Sequence, residues 1–223
     1  MPLEPSPTPD SDTTEPTTGY SQVGAAEVLV MQTGDADPEA VGINDLGHVM
    51  RLLLACPSAS PVQMGTATEP TRVCSQVRAA GAEAPALSMV MPIANHRLWV
   101  PGGGTTTCAA AVIDWDVERG DAHVVQAGPV EVWVRTESGW WSLFDRQYQR
   151  PESAEHERDG WWSAPVATFD RSVSRTASAF GVEAVVLTSP PPTPAEMRDP
   201  NSWWSALTSG SRVGATMVYA QRS

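Results

Sequence analysis

The chain has 223 residues, 41% of them hydrophobic and 18% charged, with nine tryptophans against three phenylalanines and three tyrosines. A chain of this length and make-up buries a core, which excludes a wholly disordered or collagen-like polymer. All 14 basic residues are arginine, and 26 acidic residues bring the formal charge to -12; such a surface repels phosphate backbones unless the arginines gather, and no cluster is visible, so nucleic-acid contact is not evident from the charge balance.

Residues 1–26 read as a flexible acidic arm. Up to Gln22 they hold five prolines, four acidic residues and no positive charge, too little apolar surface to offset the entropy of ordering. Residues 27–223 read as a single β domain. Its first strand is Glu27 to Met31, closed by the turn-prone run Gly34 to Pro38. Ile43, Leu46, Val49, Met50, Leu53 and Leu54 then recur at spacings of three and four, with Asn44 or Asp45 placed to cap, and predict an amphipathic helix over 43–55 that stops before Pro57.

Short apolar segments between turn residues predict strands at 87–93, 97–100, 109–117, 123–126 and 130–136. In the last of these Val130, Val132 and Val134 share a face opposite Glu131, Trp133 and Arg135. Glu137-Ser138-Gly139 predicts a hairpin turn into 140–144, and further strands are predicted at 164–169, 183–187 and 215–219. Eight or more short strands without strand-helix alternation point to an antiparallel β-sandwich or jelly roll with one or two short helices.

Chemistry-bearing residues are sparse. His48, His96, His123 and His156 lack metal-site spacing, and Cys56, Cys74 and Cys108 form no Cys-x-x-Cys; an odd cysteine count fits reduced thiols. Asp114 and Asp116 share one face of a strand with Glu118 continuing the row; paired carboxylates are what a glycoside-hydrolase or calcium site requires, but the row reads as solvated outward charges on an alternating strand. Gly102 to Thr107 is glycine-rich but lacks the Lys-Ser/Thr ending of a phosphate cradle. Neither catalytic residues, nor a metal, nor a cofactor is expected. No stretch approaches the roughly 18 apolar residues of a membrane helix, and residues 1–30 lack the layout of a secretion signal, so no membrane insertion is expected.

The remaining feature is an echo of tryptophan pairs, each followed by serine: Trp140 with Trp141, Trp161 with Trp162, and Trp203 with Trp204. On a strand, adjacent indoles point to opposite faces, so each pair offers one ring to a partner, and these six residues are the interface or ligand-contact candidates. Exposed indoles also stack on pyranose rings.

The run from Gly42 through Asn44, Asp45, Gly47, His48 and Arg51 to Leu54, following the strand at 27–31, resembles the strand-then-helix opening of picorna-like viral capsid proteins over about a tenth of the chain. The resemblance implies an extended arm on an eight-stranded jelly roll that assembles without catalysis. The resulting expectation is a non-enzymatic structural protein of a virion coat, whose partners are copies of itself and related coat subunits. The alternative is an extracellular carbohydrate-binding module using exposed tryptophans, with an enzyme built on Asp114 and Asp116 third.

Overall fold

A computed structural model describes residues 17–33, 36–57, 70–98, 108–128, 130–144, 174–189, 205 and 215–223. In chain order these form strands β1 (Thr17–Val23), β2 (Ala26–Gln32), β3 (Val41–Asp45) and β4 (Met50–Pro57), then helices α1 (Pro70–Glu83) and α2 (Leu87–Leu98). Strands β5 (Cys108–Asp116), β6 (Asp121–Ala127), β7 (Glu131–Thr136), β8 (Gly139–Ser142), β9 (Arg175–Ala179), β10 (Ala184–Ser189) and β11 (Thr216–Arg222) follow. A 3-10 turn at Pro38–Ala40 leads into β3.

The strands make two antiparallel sheets, a six-stranded one ordered β1-β2-β11-β10-β7-β8 and a five-stranded one ordered β3-β4-β5-β6-β9. The described elements are mainly β with two α-helices, as expected. The principal core lies between the sheets. Val28, Val132, Val134, Val185, Leu187 and Val218 of the six-stranded sheet meet Leu52, Leu54, Ile113, Trp115 and Val124 of the five-stranded one. A second core lies on the other face of the five-stranded sheet, where Leu53, Ala55, Ala110, Val112 and Val125 pack under Val77, Ala80, Val90, Met91 and Ala94 of the helices.

Central strands explain where the sequence pattern misleads. The helix expected over 43–55 is instead the hairpin β3–β4. Leu52, Leu53 and Leu54 are all fully buried, the even ones between the sheets and Leu53 under α1; a strand covered on both faces has no polar side, so its run of leucines mimics a helical stripe. Asp45, expected with Asn44 as one of two alternative helix caps, accepts a 2.8 Å bond from the Gly47 amide, and Gly47 turns the chain at φ +90°. Conversely, the strands expected at 87–93 and 97–100 belong to α2 as far as Leu98, where Val90, Met91 and Ala94 follow helical spacing; Trp99 and Val100 lie outside the described residues. Among its described side chains helix α1 buries only small apolar ones, Cys74, Val77 and Ala80, and its stripe escapes notice in the sequence.

Residues 17–23, read as arm, form the edge strand β1, so pairing begins before the expected first strand; residues 1–16 lie outside the described part. The strands expected at 109–117, 123–126, 130–136, 183–187 and 215–219 are present as β5, β6, β7, β10 and β11, and the hairpin at 137–139 leads into β8. The segment 164–169 and the loop 102–107 lie outside the described residues.

Candidate functional site

At one end of the two-sheet body, strands from both sheets finish in polar residues. Antiparallel register aligns Gln32 of β2 with Thr216 of β11, and Thr216 with Ser189 of β10. On the same end of the five-stranded sheet, Pro57 of β4 pairs with Cys108 of β5, and Gln126 of β6 with Arg175 of β9. These polar residues follow apolar strand interiors because the sheet core stops there.

The centre of this end is a hydrogen-bonded knot. The Thr33 amide donates to the Ala215 carbonyl at 2.9 Å, and the Ala215 amide donates to Thr33 Oγ1 at 3.1 Å. Gln32 Nε2 donates to the Asp37 carbonyl at 2.7 Å and reaches Thr216 Oγ1 at 3.5 Å. Asp37 caps the 3-10 turn through Oδ1, which accepts from the Glu39 amide at 2.8 Å; its Oδ2 is buried and meets no hydrogen-bond partner among the described residues. Cys56 sits beside this knot. Burial pushes its thiol up to about 12, the Ser189 hydroxyl bonds it and works in the opposite direction, and Cys74 and Asp37 add to the rise. A thiol so placed stays protonated at neutral pH and is no nucleophile there. Cys74, fully buried, donates to the Ala55 carbonyl at 3.2 Å.

A second polar group flanks the first. Gln126, fully buried, donates through Nε2 to the carbonyls of Gly128, at 3.1 Å, and Val130, and its Oε1 accepts from Arg175 Nη2 at 2.9 Å. Arg175 lies over the Phe144 ring, 4.7 Å from its centroid. Burial lowers its pKa while the charge of Glu131 raises it. Glu131, itself buried, accepts a bond from the Ser142 hydroxyl at 3.2 Å.

The residues singled out in the sequence fall elsewhere. Trp140 is half-buried on the outer face of the six-stranded sheet, its ring centroid 6.3 Å from that of Tyr219 and 5.8 Å from the Arg135 guanidinium. Trp141 is 39% exposed on the edge strand β8. Trp161, Trp162, Trp203 and Trp204 lie outside the described residues. Asp114 is no solvated outward charge. It holds the buried Arg51 through Nε to Oδ1 at 2.6 Å and Nη2 to Oδ2 at 2.8 Å, while Asp116 Oδ1 accepts from the Arg119 amide at 3.0 Å. These carboxylates do structural work. The strand-end residues Thr33, Asp37, Cys56, Ser189 and Arg175 carry no motif; the one signal for them was that Gln32-Thr33, Cys56-Pro57 and Thr188-Ser189 each close an apolar run with polar or turn-forming residues.

This architecture has counterparts among solved structures. RsbX in complex with magnesium superposes with a TM-score of 0.64 at 10% identity, over 93% of this chain and all of that one. PppA, a regulatory component of the type VI secretion system in Pseudomonas aeruginosa, gives 0.59 at 12% identity over 90% and 99% of the two chains. The serine/threonine phosphatase Stp1 from Staphylococcus aureus gives 0.58 at 10% identity over 90% and 96%. The chain has their fold. No family model and no curated protein matches its sequence.

The likeness overturns the viral reading. The capsid resemblance, the coat function and the virion location fall together, because the similar structures are phosphatases and regulators. The extracellular sugar-binding alternative falls with them. The expectation of a non-enzymatic chain falls too, since several of the similar structures are serine/threonine phosphatases. The run from Gly42 to Leu54 misled because the same leucines serve a buried strand.

Magnesium requires near-octahedral oxygen ligation, with one or two carboxylates completed by water and substrate phosphates. Among the described residues, no group of three or more His, Cys, Asp or Glu side chains stands together, and at this strand end Asp37 is joined by hydroxyls, an amide and thiols. The described residues do not by themselves fit that metal.

Proposed function

We propose that the protein acts in serine/threonine phosphoregulation, engaging phosphorylated protein segments at the end of the body where the buried residues Thr33, Ser189 and Thr216 tie the strand ends together. The observation that carries this reading is the likeness, over about nine-tenths of the chain, to phosphatases and a secretion-system regulator. The two-sheet body is read as the sandwich of that fold. The hydroxyls, amide and thiol collected where several strands stop bond one another and fix the shape of that end, and Arg175 on the flank carries the positive charge that a phosphate ester requires.

The test incubates the full chain with phosphoserine and phosphothreonine peptides and magnesium or manganese. Release of inorganic phosphate, or saturable binding of a phosphopeptide but not of its unphosphorylated form, supports the reading. A chain that neither hydrolyses nor distinguishes the phosphorylated peptides overturns it.

A further inference from the structure

The four sheet edges of the described body are β1 and β8 on one sheet and β3 and β9 on the other. An open edge presents unpaired amides and carbonyls, and proteins blunt such edges with charges, proline or short strands. Three of the four are blunted: β3 ends in Asp45, β9 begins with Arg175, and β8 is four residues long. The fourth is not. Strand β1, Thr-Thr-Gly-Tyr-Ser-Gln-Val, has seven residues with neither charge nor proline, on a chain whose formal charge is -12. It pairs with β2 on one side, and Thr17, Thr18, Gly19, Tyr20 and Gln22 are exposed, Tyr20 at 65%.

We infer that β1 pairs antiparallel with β1 of a second copy of this chain, joining two six-stranded sheets into one across a two-fold axis at Tyr20. This self-match follows from composition. Centring on Tyr20 sets Gly19 opposite the partner's Ser21, Thr18 opposite Gln22 and Thr17 opposite Val23, so no like charges meet despite the acidic whole. Among the described residues the nearest carboxylate on that face is Glu27 of β2, opposite Gln22 and beside Tyr20. Three strand spacings of about 4.8 Å separate the two copies of Glu27 by roughly 14 Å sideways, and a four-residue offset along the strands adds to this, so they lie beyond the Debye length of about 8 Å at physiological ionic strength. A different protein docking here would need only a neutral extended segment; a second copy brings that segment already ordered. Self-pairing uses no residue of the strand-end site, so it stands or falls separately from the phosphoprotein reading.

Sedimentation of the full chain tests it. The unaltered protein sediments at twice 23.8 kDa. Tyr20→Lys and Tyr20→Glu each place like charges opposite one another at the axis and each sediments as a monomer with an unchanged circular-dichroism spectrum. Mixing the two variants restores the dimer, because the axis then joins opposite charges. An unaltered chain that stays monomeric at its highest soluble concentration, a dimer that survives both substitutions, or variants that fail to recombine would each overturn the proposal.

Discussion

Arg51 shows how one residue ties three elements together. It is 1% exposed on β4, its fork is filled by Asp114 of β5, and Nη1 donates to the carbonyls of Gly81 and Ala84 at 2.9 and 2.7 Å. Those carbonyls lie at the end of α1, where helix acceptors lack intrahelical partners. Removing one member leaves the other charge buried and unmatched, which costs about 3 to 5 kcal/mol. Asp114→Ala is therefore expected to lower stability by that amount in urea titration; a loss under about 1 kcal/mol would mean that water replaces the carboxylate. At Cys56 the sign of the pH dependence follows from the raised thiol pKa. Below the ordinary value near 9 the thiol is protonated folded or unfolded, and its contribution is fully present; as pH climbs toward about 12 the unfolded chain ionises first and the contribution is lost. The unaltered protein should thus lose more stability than Cys56→Ala between about pH 8 and about pH 11, read from urea midpoints. Equal losses would place the thiol in water. None of this was legible in the sequence, where Asp114 fits an outward row and Cys56 is one of three cysteines without motif spacing, because partners such as Arg51, 63 residues from Asp114, meet only through sheet register.

At the scale of elements, legibility tracked burial. Strands β7, β10 and β11 were readable because β-branched residues fill runs bounded by turns, whereas β4 and α2 exchanged identities. In β4 both faces are covered, so period two vanished; in α2 Pro92 interrupts an apolar run that reads equally well as extended chain. The meeting of α1 with β4 provides a test of close packing. A Cβ on Gly81 would stand 2.5 Å from Leu53 Cδ1, and Leu53 is fully buried. Alanine in a helix interior gains about 0.8 to 1 kcal/mol over glycine and less in a last turn such as that of Gly81, whereas overpacking costs about 1 to 3 kcal/mol. Gly81→Ala is expected to destabilise on balance, and pairing it with Leu53→Val, which shortens the side chain, should recover part of the loss. A stabilised single variant, measured by urea denaturation, would show that the helix stands further from the sheet than 2.5 Å implies.

For the whole molecule, the two cores are not independent units. Strand β4 sends Leu52 and Leu54 into the core between the sheets and Leu53 into the core beneath the helices; β5 does the same with Ile113 and Val112. A strand cannot leave one core while keeping its place in the other, because consecutive side chains share one backbone. The helix pair and the sheet pair should therefore unfold together. Trp115, fully buried between the sheets, contributes to the fluorescence signal of that core, and ellipticity at 222 nm reports both helices and strands. Urea transitions followed by the two signals are expected to coincide, and Leu54→Ala, which empties only the inter-sheet core, should shift both midpoints equally while costing about 2 to 5 kcal/mol. If ellipticity were lost ahead of fluorescence, or the substitution moved only the fluorescence transition, the helices would form a separate cooperative unit and the coupling through β4 and β5 would be wrong.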